Sequence, residues 1–283
     1  MKISKEMIQQ LRKMSNIGIL YCKKALEKTE GDIEKAFSLL KKEGLIKAAE
    51  NNKDLVLSEG LTNVAFRNNK AVLFELNTET DFVARNSIFL NLCSQLEKIL
   101  LEADDYIKTL DDFLNYSYND KTVKNFILES IAVLKEQIIL KRIAIFYKNN
   151  TESFGIYKHQ GGRISSLVCL TKPCLEVESN LPIHIVGLKP KFLNKEKIDR
   201  FFLKKEEELL KEKTINEFKE QNKTLNHVLI EKIVQKRLDV FLEQNCLLEQ
   251  FLYNNSDQKV KEYLKKYNVD VLFFERFELG EDY

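Results

Sequence analysis

Residues that carry chemistry are scarce in this chain of 283. Three histidines, at 159, 184 and 227, stand far apart, and nothing around them marks a local nucleophile–histidine–carboxylate set. Five cysteines, at 22, 93, 169, 174 and 246, are odd in number and sit mostly in apolar runs. That pattern excludes a disulfide framework and reads as reduced, buried thiols of a cytoplasmic protein. No C-x-x-C pair occurs, and Cys169 and Cys174 have no His or Cys at zinc-like spacing. Of only nine glycines, none belongs to a phosphate-cradling loop with Lys and Ser/Thr. The expectation is therefore a protein that is not an enzyme, holds no metal or cofactor, and does not bind nucleotide itself. No apolar run approaches the roughly 20 residues of a membrane helix. Met1-Lys2-Ile3-Ser4-Lys5-Glu6 has no apolar segment of the secretory-signal kind.

Charge of one sign is also missing. Lys and Arg number 45 against 43 Asp and Glu, a net charge of +2. That balance argues against a broad nucleic-acid footprint and leaves only a local patch open. What is present is apolar and charged in bulk, 44% hydrophobic and 31% charged. The length suits about two domains at roughly 100–200 residues each.

Residues 1–46 read as a three-helix unit. Met7, Ile8, Leu11 and Met14 recur at helical spacing, and Ser15-Asn16-Ile17-Gly18 breaks the pattern. Leu20, Cys22, Ala25 and Leu26 form a second short face; Gly31 suits its end and Asp32 the next N-cap. Ile33, Ala36, Phe37, Leu39 and Leu40 make the third helix, which Gly44 can stop. Three short helices bury little surface, which fits a docking unit. Residues 47–56 are polar and read as a linker.

The core follows in two similar cycles, expected at 57–141 and 142–283. Two strand-like runs, 61–66 and 71–76, flank Arg67-Asn68-Asn69-Lys70 as a hairpin. Helical patterns follow through Ile88, Leu92, Leu96 and Leu100, and again over about 121–140. Strand-like runs at 143–147, 153–158 and 164–170 begin the second cycle, followed by an apolar helix around Leu181–Val186 in which His184 reads as a satisfied core residue. Residues 195–243 are helical and charged with an imperfect seam, read as a protruding helical hairpin turning near Asn222-Lys223. The fold class is α+β: a three-helix domain, then two related α+β subdomains with that hairpin.

One hexapeptide stands apart: Thr80-Asp81-Phe82-Val83-Ala84-Arg85. It follows an apolar strand and opens a helical pattern. A large ring beside a carboxylate at an element boundary is hard to bury, so Phe82 is aimed outward or is an ordinary first-turn core residue. His159-Gln160-Gly161-Gly162-Arg163 reads as a turn between two strands, with Arg163 open to an internal or an intermolecular ion pair.

Taken together, Ile17–Leu26 with Gly31–Ala36, the hexapeptide, His159–Ile164, Leu247-Leu248-Glu249-Gln250 and Phe274–Gly280 resemble, in order, the signature blocks of bacterial translation elongation factor Ts. The first resembles that family's ubiquitin-associated-like domain. Tyr21 stands where an acidic residue is usual, Lys135 where a Gly is usual, and the Pro usual after Gln250 is missing. The resemblance implies a guanine-nucleotide exchange factor for elongation factor Tu. It implies partner contacts at Thr80, Asp81, Phe82 and Val83, with Phe82 as a wedge beside the GTPase's magnesium/phosphate site. Thr80 would cap the helix that carries the wedge. It implies a second contact at the turn of His159, Gly161 and Gly162, and docking of the N-terminal module through Lys23 and Lys24. Some relatives dimerise, which leaves a homodimer open. The rival from another class is an RNA- or ribosome-binding module, against which the near-zero net charge and the lack of clustered basic residues among stacking aromatics both count.

Overall fold

The computed structural model describes residues 3–15, 17–42, 57–221 and 226–281. The linker, Gly44 and the Asn222-Lys223 turn lie outside these residues. Two compact units emerge from the chain's contacts. The first runs to Tyr147 and adds Lys158–Ser165 and the stretch from Phe277; the second comprises Lys148–Tyr157 and Ser166–Arg276.

The first unit begins with α1 (Lys5–Ser15), α2 (Ile19–Lys28) and α3 (Ile33–Lys42). Leu11, Ile17, Cys22, Leu26, Ala36 and Leu40 are buried at helical spacing. Glu30 and Gly31 take positive φ after α2, and the Gly31 N–H donates to Leu26 O at 2.8 Å. Asp32 then accepts from the Lys35 N–H at 2.9 Å, satisfying an orphan donor at the start of α3. Gly18, the N-cap of α2, lies so close to Asn125 that a Cβ there would fall 2.4 Å from its amide.

Next come β1 (Glu59–Arg67) and β2 (Lys70–Thr78), an antiparallel hairpin turning at Asn68 with φ 54°. Helices α4 (Asp81–Ala84), α5 (Ser87–Glu102), α6 (Leu110–Asn115) and α7 (Val123–Leu134) follow, with a small hairpin, β3 (Ser117–Tyr118) and β4 (Lys121–Thr122), before α7. β5 (Ile138–Tyr147) pairs antiparallel with the other edge of β2, so the sheet order is β1-β2-β5. Alternate residues Val72, Phe74 and Leu76 share one core with Phe89, Leu92, Leu96, Ile127 and Ile131.

The helix expected over 121–140 ends at Leu134. Lys135 takes the left-handed conformation, φ 61°, and the chain enters β5 at Ile138, five residues before the strand read from sequence. Ile138 fits helical and strand periodicity alike, and pairing with Thr78 decided for the strand.

A bulge in β5 makes Lys141 an extra residue, because Glu75 faces Arg142 while Leu76 faces Leu140. Both basic side chains thereby reach the fully buried Glu75 carboxylate, Arg142 Nε at 2.6 Å and Lys141 Nζ at 3.7 Å. The Gly280 N–H donates to the same carboxylate at 2.9 Å, and the Arg142 guanidinium lies 4.1 Å from the Phe277 ring centre. The chain's last described stretch is thus tied to this buried pair.

The second sheet has the order β10-β7-β6, from β6 (Ser153–His159), β7 (Ile164–Leu170) and β10 (Val271–Glu278). In the second unit α8 (Leu175–Leu188) and α11 (Val260–Tyr267) close a core of Val168, Leu170, Val177, Leu181, Ile185, Leu247 and Leu264. β8 (Phe251–Leu252) and β9 (Asn255–Lys259) form a short hairpin before α11. His184 is fully buried: Nδ1 accepts from the Tyr253 N–H at 3.2 Å, so Nε2 donates to Gln250 Oε1 at 2.9 Å. Gln250 also donates to Leu188 O and Gln244 O, which gives that residue of the Leu247–Gln250 block an internal role. The charged region resolves into α9 (Arg200–Glu220) and α10 (His227–Asn245), packed on one another. Ile230, Val234, Leu238 and Leu242, four residues apart, are the buried side of α10.

Candidate protein-docking site

Strand β2 ends at Thr78, and Thr80 is the N-cap of α4. Its backbone is extended, φ −126° and ψ 154°, and its Oγ1 accepts from the Val83 N–H at 3.3 Å. Val83 is buried in the core, and Asp81 pairs with Arg85 at 3.3 Å one helical turn away. Asn86 caps α5 by accepting from the Ile88 N–H at 2.9 Å. Between these anchors Phe82 is 83% exposed. It is no core residue, and no other large apolar side chain among the described residues is more exposed.

A second layer holds the cap from 56 residues away. The Glu136 carboxylate accepts from Thr80 N–H at 3.2 Å and from the Thr80 hydroxyl at 2.9 Å. In the opposite sense, Gln137 N–H donates to the Glu79 carboxylate at 2.8 Å. The two connections, β2 to α4 and α7 to β5, are therefore stitched together in both directions. Sequence reasoning missed Glu79 and Glu136. Glu136 was legible only as the neighbour of the unusual Lys135, and no periodicity relates it to Thr80.

The turn at His159 is built otherwise. Gly162 N–H and Arg163 N–H both donate to His159 O at 3.0 Å, with Gln160, Gly161 and Gly162 all at positive φ. Gly162 is buried against β1: Thr62 N–H donates to its carbonyl at 2.6 Å and the Thr62 hydroxyl at 2.8 Å. A Cβ on Gly162 would meet Thr62 O at 2.6 Å, whereas one on Gly161 would meet nothing within 4 Å. The two glycines thus divide the work, Gly162 for internal packing and Gly161 for open space. Arg163 makes an internal ion pair with Glu59 at 3.8 Å, and its carbonyl accepts from the Leu279 N–H at 2.9 Å.

Lys23 and Lys24 are exposed on α2, opposite Cys22, Ala25 and Leu26. Lys23 stands 3.8 Å from Glu27 on its own helix. The three groups of candidate residues therefore stand on separate elements, α2, the α4 loop and the β6–β7 turn.

Among the described residues no cluster of His, Cys, Asp or Glu could hold a metal ion, and no helix is long and apolar enough to cross a membrane. Burial pushes the thiols of Cys93 up to about 12 and of Cys169 and Cys246 up to about 11, which makes them poor nucleophiles.

Fold and loop together define a class: a small helical module, an α+β body, and a large apolar ring exposed on a capped, hydrogen-bonded loop. The sequence profile of the family described as "Elongation factor TS" matches residues 79–281. The chain is 44% identical over 280 residues to elongation factor Ts of Aster yellows witches'-broom phytoplasma (strain AYWB), covering 99% of this chain and 100% of that protein. To elongation factor Ts of Phytoplasma australiense it is 41% identical, covering 99% of each. To that of Acholeplasma laidlawii (strain PG-8A) it is 37% identical over 282 residues, 99% of this chain and 94% of that protein. The chain belongs to the elongation factor Ts family and is an elongation factor of protein biosynthesis.

Proposed function

We propose that this chain is the guanine-nucleotide exchange factor for elongation factor Tu, and that Phe82 is the group it inserts beside the magnesium/phosphate site of the GTPase. The observation that carries this reading is the exposure of Phe82, 83%, on a loop that is capped, buried at Val83 and stitched to Glu136. An apolar ring gains nothing from water, and fixing its backbone in that position is useful only when another surface receives it.

Linkage sets what the contact must achieve. The factor binds nucleotide-free Tu more tightly than GDP-bound Tu, and GDP weakens the factor's binding by the same ratio. A shift of roughly four decades needs about 5.5 kcal/mol of differential affinity. Burying one Phe side chain contributes only ~1.5–3 kcal/mol. Phe82 therefore acts within a wider interface, to which Thr80, Asp81 and Val83 contribute as its frame. The turn of His159, Gly161 and Gly162 adds a second contact, with Gly161 offering close backbone approach. Lys23 and Lys24 steer the N-terminal module onto Tu's nucleotide-binding domain.

Release of fluorescent GDP from cognate Tu, with and without this protein, tests the reading. Phe82→Ala should lower the stimulated release at saturating factor by about ten- to a hundredfold, the free energy of one buried Phe expressed as a rate ratio. Unchanged stimulation would remove the wedge. Reversing Lys23 and Lys24 to Glu should instead raise the half-saturating concentration and leave the maximal rate in place.

A further inference from the structure

We infer that Glu136 is a positioning residue for exchange: its carboxylate holds the α4 loop in the one conformation that presents Phe82. The inference rests on the exchange reading above and adds a residue that does not itself touch the partner.

The geometry carries it. Phe82 lies two residues beyond Thr80 and one before Val83. Val83 is buried, so that side of the ring's backbone is fixed by packing. On the other side Thr80 is polar and only part-buried, so its place depends on hydrogen bonds. Its place is set by Glu136, which takes both of its donors, N–H at 3.2 Å and Oγ1–H at 2.9 Å, and lies 3.5 Å from the Thr78 hydroxyl. With its proton committed to Glu136, the Thr80 oxygen is turned to accept from Val83 N–H. One chain of hydrogen bonds therefore runs from Glu136 through Thr80 to the first turn of α4. A carboxylate acceptor strengthens the two bonds that Thr80 donates.

An exposed ring left on a loose loop would fold back on nearby apolar surface or sample many positions. Either outcome must be undone when the partner binds. The Glu136 clamp removes that cost before the encounter. Lys135 fits the same purpose, since its left-handed turn, φ 61°, ends α7 and brings the next residue back toward β2.

The experiment is GDP release from cognate Tu, titrated with the full-length factor so that maximal rate and half-saturating concentration separate. Glu136→Ala should lower the maximal rate roughly tenfold, as expected for a misplaced reacting group, and change the half-saturating concentration much less. Glu136→Gln keeps one carbonyl acceptor in place and should recover most of the rate. The double variant Phe82→Ala with Glu136→Ala should be no slower than Phe82→Ala alone, because the clamp has then nothing to aim. Hydrogen exchange of the Thr80 amide should quicken in Glu136→Ala while the thermal melt stays cooperative; if that variant does not fold, Thr80→Val, which removes the hydroxyl donated to Glu136, carries the same comparison. A wild-type maximal rate in Glu136→Ala, with Phe82→Ala impaired, overturns the clamp and leaves the exchange reading standing. Additive losses in the double variant overturn it too. If Phe82→Ala itself leaves release unchanged, the exchange reading has failed and the clamp falls with it.

Discussion

The α4 loop and the His159 turn both present residues outward, and the chain secures them in opposite ways. At α4 the backbone is held by side chains, Thr80 on Glu136 and Glu79 on Gln137, while an apolar ring is left in water. At the turn the backbone is held by backbone, with Gly162 pressed on Thr62 and Arg163 O bonded to Leu279 N–H. The difference teaches where each can change. A loop fixed by side chains can be loosened by single substitutions and still fold. A turn fixed by backbone contact depends on having no side chain at one position.

Five substitutions and one titration test that contrast and its surroundings. The largest effect is expected behind the turn, at Arg142→Ala, which leaves the fully buried Glu75 without its closest cation. Unfolding by urea should show a loss of about 3–5 kcal/mol, the cost of an uncompensated buried charge. A loss under about 1 kcal/mol would show that Lys141 replaces it. Next is Gly162→Ala, where φ is 102° and the new methyl meets the Thr62 carbonyl. Overpacking and left-handed strain together should cost about 2–4 kcal/mol. Gly161→Ala has open space and φ 70°, so only strain remains, about 1–2 kcal/mol. Equal losses at the two glycines would erase the division of labour between them.

Smaller effects lie elsewhere. Burial lowers the His184 pKa from the ordinary 6.5, and the Gln250 bond opposes that shift only in part. The stability this neutral ring contributes is present above pH 6.5 and is lost as pH falls through its folded value. The denaturation midpoint should therefore decline below that pH, more steeply than in His184→Gln. Smallest is Lys135→Gly, which relieves a left-handed residue at the cost of a more flexible unfolded chain. It should raise stability by less than about 1 kcal/mol, readable as a small increase in melting temperature.

Much of the fold was legible because local rules act within a few residues. Gly31 and Asp32 end one helix and begin the next as their chemistry dictates. The β1–β2 hairpin turns at the Asn-Asn pair. The helix over 121–140 was overrun because Leu134 and Ile138 keep an apolar spacing across the break, and only the φ of Lys135 stops it. Its place at a position where the related family has glycine was the one local hint. At the site, the awkward ring at Phe82 was legible and read as aimed outward, with a first-turn core position as the alternative. Exposure settled that question. The pairing of Arg163 with Glu59 was equally invisible, since roughly a hundred residues separate them.

The three N-terminal helices, the β1–β2 hairpin, the caps at Asp32 and Thr80, the absence of a phosphate loop and the resemblance to elongation factor Ts were all determined by the amino-acid sequence. These follow from neighbours three or four residues apart, whose geometry the backbone imposes. Tertiary structure alone decided that Phe82 stands in water, that Gly162 faces inward and Gly161 outward, and that Glu136 grips Thr80. Those outcomes depend on which distant segments share a face of the sheet, and that is set by burying the largest apolar surface while leaving no buried donor or charge without a partner.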